Sequence, residues 1–224
     1  MNEYLESKGY ISLNYYNLFW IFVLCSVVGI ISETLYQLIV FDRYELRAGL
    51  VWGPFSPIYG IGGVLFTIAL NRFWDKNVIV IFAVSMLLGS ALEFSASWIM
   101  ETMFGIISWD YSGTFGSIQG RTNFAFGMMW GAFGLIWVRV ALPWVLRVID
   151  LIPRRYHITV TTAMSIFMAM NIMVTIVAID RQYERLNDIP ASNPIQSICD
   201  EYFPDEWLKQ RFPNVTMDIS RSIR

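Results

Sequence analysis

The chain has 224 residues, of which 55% are hydrophobic and only 15% charged, with a formal net charge of -2. A soluble domain of this size carries about a quarter charged residues, and here the deficit is concentrated in long runs without any Lys, Arg, Asp or Glu, the pattern of transmembrane helices. The balance gives no electrostatic reason to expect nucleic acid, whose phosphates need a clustered basic surface. The single His157, and two cysteines (Cys25 and Cys199) without CxxC spacing, exclude a recognisable metal site or disulfide framework. No cofactor is expected.

In chain order, the pattern predicts an all-α, multi-pass membrane protein with about five transmembrane helices. A short N-terminal segment, 1–16, leads into a membrane domain, 17–179, and then a polar tail, 180–224. The first span covers about 17–40 and is too long for a signal-peptide core. The second, about 54–71, follows "GPFSPIYGIGG" and opens at Pro57, where a missing N–H costs nothing. The third, fourth and fifth spans cover about 77–104, 123–146 and 158–179. The tail carries four prolines and mixed charge, and no internal repeat stands out from the letters alone.

Five spans put the termini on opposite sides. Lys8, Arg72, Lys76, Arg139, Arg147, Arg154 and Arg155 fall on the N-terminal side, against Arg43, Arg47, Arg121, Arg181 and Arg185 on the other. This excess predicts a cell-membrane protein with a cytoplasmic N-terminus.

Ionisable groups inside a span are costly and normally face a bundle interior or a wet cavity. Glu33 and Glu93 are the two clear examples, each roughly 7 Å past the middle of its span in the same leaflet. Residues three or four apart share a helix face. Cys25, Gly29, Glu33 and Gln37 therefore form one stripe, and Ser85, Gly89, Glu93, Ser97 and Glu101 another. Tyr59, Gly63, Thr67 and Asn71 line the second span, and Asn123, Gly127 and Gly131 the fourth. The loops above that leaflet, "RYELRAGLVWGPFSPIYG" and "SWDYSGTFGSIQGRTN", bring Arg47, Asp110, Tyr111 and Arg121. Together these residues predict one polar chamber. The plainer alternatives are interfacial anchoring by Trp109 and Tyr111, helix packing at the glycine rows, structural Glu–Arg pairing, and a solvated, interfacial Glu101.

The ordered motifs "RAGLVWGPFSPIYGIGG", "LEFSASWIME", "WDYSG" and "QGRTNFAFGMMWG" resemble a family of small bacterial membrane proteins described as ABC-transporter permeases of type IV, the CmpB-like kind. The resemblance covers about residues 17–145. It departs from the family pattern at Arg47-Ala48-Gly49, where the family reads Asn-Arg-Gly, and at Ser108, which stands where a second tryptophan precedes "DYS". What the resemblance implies is a permease. No Walker A motif is present, so any ATPase would be a separate partner subunit.

Three functions compete at this level. A transporter would use Glu33 and Glu93 for a coupling ion or cationic group, with Tyr59 and Asn123 as polar lining. An intramembrane enzyme acting on a lipid-linked substrate would use one glutamate as general base and Arg47 or Arg121 to hold an anionic headgroup, but the chain lacks a nucleophile–base pair at recognisable spacing. A non-catalytic assembly partner would dock through the tail. The partners expected are membrane lipids and a second subunit or a second copy of the chain, without nucleic acid.

Overall fold

The computed structural model describes residues 9–42, 44, 48–104 and 109–212. Among them the elements are helices α1 (Tyr15–Phe41), α2 (Pro57–Leu70), α3 (Val78–Phe104), α4 (Phe124–Ile136), α5 (Leu142–Ile149), α6 (His157–Leu186), α7 (Pro194–Tyr202) and α8 (Asp205–Arg211). A π-turn, Trp137–Ala141, joins α4 to α5 without a break. Four stretches are long and apolar enough to cross a bilayer: Tyr15–Ile39, Val78–Ile99, Phe124–Ile149 and Arg154–Leu186. The protein is an all-α, membrane-embedded, polytopic chain. Each helix satisfies its own backbone within hydrocarbon, and the outward faces, such as Ile31, Ile39, Leu87 and Met170, are correspondingly exposed and apolar.

Three spans differ from the sequence reading, the fifth because α6 continues past 179 to Leu186 and so takes in the first residues of the expected tail. The second apolar helix does open at Pro57, but it has only 14 residues, about 21 Å at 1.5 Å per residue, against a hydrocarbon core of about 30 Å. The fourth span runs on to Ile149 and is widened at its π-turn, where Leu142 N–H reaches the carbonyl of Trp137. Pro143 follows at once and has no N–H for the carbonyl four residues back, so the local wide turn absorbs its ring.

The chain divides into two compact units. One comprises residues 9–17 with Val64–Leu151, and the other Leu18–Gly63 with residues 152–212. In the first, α3 packs along α4 through small residues. Gly127 lies against Ser90 and Met86, Gly131 against the Phe82 ring, and a Cβ on Gly134 would overlap Ser85. Trp137 Nε1 donates to Thr67 Oγ1 at 3.2 Å, and Arg139 reaches back to the Lys76 carbonyl at 2.8 Å.

In the second unit, α1 meets α6 where Trp20 Nε1 donates to Thr161 Oγ1 at 2.9 Å, above a core of Val23, Leu50 and Met168. Residues 48–56 enter this core. Ala48, Leu50 and Val51 are buried, and Ser56 N–H bonds the Ser26 carbonyl near the middle of α1. Asn171, at the middle of α6, accepts from Trp52 N–H at 3.1 Å and donates to its carbonyl at 2.8 Å. Thr175 Oγ1 accepts from Val51 N–H at 3.0 Å. The loop before α2 thus returns to mid-span depth, where irregular backbone is tolerated only when protein groups satisfy it. A helix that starts there need not be longer than α2. Beyond the apolar part of α6, α7 and α8 fold back onto it around Val51, Ala178, Cys199, Phe203, Leu208 and Phe212.

Candidate functional site

The first unit holds the larger constellation. Glu93 lies on α3, one turn from Gly89 and one from Ser97. Tyr111 Oη donates to its Oε1 at 3.2 Å, and Thr122 Oγ1 donates to its Oε2 at 2.8 Å. Tyr111 is fixed by stacking on Phe126, with centroids 4.5 Å apart and planes 26° from parallel. Burial, then the charge of Glu93 and its hydrogen bond, push the Tyr111 hydroxyl up to about 12, so it remains a donor through the physiological range.

Arg121 turns to the same helix face but takes a different acid. Its Nη2 lies 2.5 Å from Glu101 Oε2, its Nη1 donates to Ser97 Oγ at 3.3 Å, and its guanidinium sits 5.8 Å from the Phe94 ring centroid. Glu101 is thereby the arginine's partner. Among the described residues Glu93 has hydroxyl donors and no cation within ion-pair distance.

The connection that delivers these groups, residues 109–123, is internally bonded. Tyr111 N–H meets the Gly120 carbonyl at 2.8 Å, Ile118 N–H the Thr122 carbonyl at 2.9 Å, and Trp109 Nε1 the Arg121 carbonyl at 2.8 Å. Asp110 is exposed and closes a local turn by accepting from Ser112 N–H at 2.8 Å; the Ser112 hydroxyl first, and this N–H second, hold its carboxyl below the usual carboxylate range. Gly120 has φ +72°, and a Cβ there would press on Asp110 and Ser112, so glycine is required on both counts. Asn123 caps α4 by accepting from Phe126 N–H at 2.9 Å and ties the cap to Thr114 Oγ1 at 2.9 Å.

The second unit repeats the plan with other residues. Glu33 stands on α1 one turn beyond Gly29, as Glu93 stands one turn beyond Gly89 on α3. Tyr59 Oη donates to Glu33 Oε2 at 2.6 Å, and the Tyr59 ring covers Gly29 so closely that a Cβ there would overlap it. Trp130 covers Gly89 in the same manner. Each unit therefore contains a Gly-x-x-x-Glu face, an aromatic over the glycine and a tyrosine hydroxyl on the carboxylate.

Of the residues singled out from the sequence, Glu93, Tyr111, Arg121, Asn123 and Asp110 belong to the first unit, and Glu33 and Tyr59 to the second. Arg47 lies outside the described residues. Sequence reasoning passed over Thr122, which bonds Glu93, and Asn171 and Thr175, which hold the loop 48–56. The signal for the last two was present as a polar pair four apart, "NIMVT", inside an otherwise apolar span.

The chain has no significant match among the curated proteins or the solved structures. A family model described as "Putative ABC-transporter type IV" matches residues 20–176, and the chain belongs to that family.

Proposed function

We propose that this membrane protein of a transporter-type family works as a permease whose span-embedded carboxylates take up a proton or cation during transport. Glu93 is the principal station and Glu33 the second. The observation that carries the reading is the environment of Glu93. It is a carboxylate on a spanning helix, met by two hydroxyl donors, while the nearby Arg121 is engaged by Glu101. A buried acid kept only for structure is normally matched to a cation, whereas one held by neutral donors is open to an exchangeable positive partner. The loops 48–56 and 109–123 add polar backbone beside the spans, as a pathway requires.

In this reading the N-terminus is cytoplasmic and the protein sits in the cell membrane, with any ATPase supplied by a separate subunit. The test is reconstitution in proteoliposomes enclosing a pH-sensitive dye. The wild type dissipates an imposed pH gradient. Glu93→Gln slows this by about tenfold or more, equivalent to about 1.4 kcal/mol, without lowering the melting temperature. Equal rates for wild type and Glu93→Gln defeat the proposal.

A further inference from the structure

Helices α7 and α8 leave a groove of about 680 Å³ against α6, within the second unit. Its walls include Trp52, Met173, Val177, Ile198, Tyr202 and Trp207. Met173 and Val177 belong to the apolar part of a spanning helix, close to Asn171 at its middle, so the floor of the groove lies at hydrocarbon depth.

The way α7 is fixed decides which of its faces is left open. Asp200 bridges Arg181 (2.8 and 3.0 Å) and Arg185 (2.5 Å), and Asp205 also binds Arg185. These ion pairs tie down the charged side. Ile195, Ile198 and Tyr202, spaced three and four apart on one face, remain 64%, 54% and 67% exposed. A helix bathed in water shows the opposite arrangement, whereas this one suits an interfacial helix whose apolar face meets lipid.

A cation, Arg211 on α8, stands one helical turn beyond the wall residue Trp207. Its Nε donates to the Leu50 carbonyl at 3.0 Å and its Nη2 to the Gly53 carbonyl, the two carbonyls that flank Val51 and Trp52. Among the described residues no carboxylate pairs with it. A half-buried guanidinium that no described carboxylate pairs with, and whose Nη1 is not used by the Leu50 and Gly53 carbonyls, fits an amphiphile with a negative head beside this apolar trough.

We propose that this groove is a binding site for an anionic glycerophospholipid, with one acyl chain along Met173, Val177 and Ile198 and the phosphate against Arg211. The site is independent of the glutamate stations, so it stands or falls separately from the transport reading.

The test is native mass spectrometry of the delipidated full chain, titrated with phosphatidylglycerol and with diacylglycerol of the same chains. The wild type binds one phosphatidylglycerol about tenfold more tightly than diacylglycerol. Met173→Trp and Ile198→Trp change exposed positions and fill the groove. They weaken phosphatidylglycerol binding by about tenfold at unchanged melting temperature. Arg211→Gln loses the headgroup preference, and Arg211→Lys keeps it. Undiminished binding in both groove-filling variants overturns the proposal, as does equal affinity of the wild type for the two lipids. So does a wild-type dimer that Ile198→Trp dissociates while lipid binding is unchanged, which makes this face a contact between copies.

Discussion

Asn171 holds Trp52 by both ends of its peptide: the side-chain carbonyl accepts from Trp52 N–H at 3.1 Å and the side-chain amide donates to Trp52 O at 2.8 Å. Asn171 is fully buried, so Asn171→Leu leaves two backbone groups unpaired in an apolar setting. Each costs about 1–3 kcal/mol. The expected result is a lower melting temperature and release of residues 48–56. A cysteine introduced at Ala48, which is buried in the native protein, becomes readily alkylated in the Asn171→Leu background and stays protected in the parent.

The hydroxyls on Glu93 lead to a separable pair of outcomes. Tyr111→Phe and Thr122→Val each remove one donor and leave the carboxylate in place. Both slow the gradient dissipation measured in proteoliposomes, and each does so by less than Glu93→Gln. Tyr111 also has a pH signature. Its value is raised from 10.0 to about 12, so the stabilisation linked to its proton is complete below about pH 10 and is lost as pH rises toward 12. Phenolate absorbance for this residue therefore appears late in an alkaline titration, and the late component vanishes in Tyr111→Phe. A Tyr111 that titrates with the exposed tyrosines contradicts its burial beside Glu93.

Much of the helical layout is legible in the letters because a spanning helix needs a long apolar run and satisfies its own backbone. The extents of α1 and α3 follow from that requirement, and Pro57 marks the start of α2 for a local steric reason. The depth of the loop 48–56 is not legible, because it depends on Asn171 and Thr175, more than a hundred residues away along the chain. Nor is the partner of Arg121. Glu93, Ser97 and Glu101 lie at successive turns of one face, and periodicity alone does not say which the guanidinium reaches. The loop 109–123 decides it by turning Tyr111 and Thr122 toward Glu93 and Arg121 toward Ser97 and Glu101. The repeated Gly-x-x-x-Glu face was written in the sequence, but the tyrosines that complete it sit at unlike spacings, 26 residues after Glu33 and 18 after Glu93.

Glycines of the two kinds respond oppositely to a side chain. At Gly89 a Cβ overlaps the Trp130 indole, whereas at Gly62 nothing lies within 4 Å. Gly89→Val therefore forces α3 and α4 apart and costs about 1–3 kcal/mol by overpacking. Gly62→Ala gains about 0.5–1 kcal/mol from a helix position freed of glycine's backbone entropy. Thermal denaturation of the two variants in the same detergent checks both signs.

The ion pairs that seat α7 and α8 predict how acid loosens them. Asp200 is held below its ordinary value of 3.8, first by the hydrogen bond from Arg181 and further by Arg185. A depressed carboxylate contributes stability that is fully present above its unfolded value and is lost as pH falls through its lower folded value. The two helices consequently stay docked at about pH 5 and release only below about pH 4. Cys199 reports the event, because it is a buried free thiol at the centre of this contact. In a Cys25→Ala background, its reaction with dithiodipyridine, a reagent that works in acid, is slow at about pH 5 and accelerates at the low-pH step. Asp200→Asn removes the titrating charge shared by Arg181 and Arg185 and turns one of its two acceptor oxygens into a donor, so the thiol reacts faster at about pH 5 and the step disappears. A step that persists unchanged in Asp200→Asn assigns the acid sensitivity to another carboxylate.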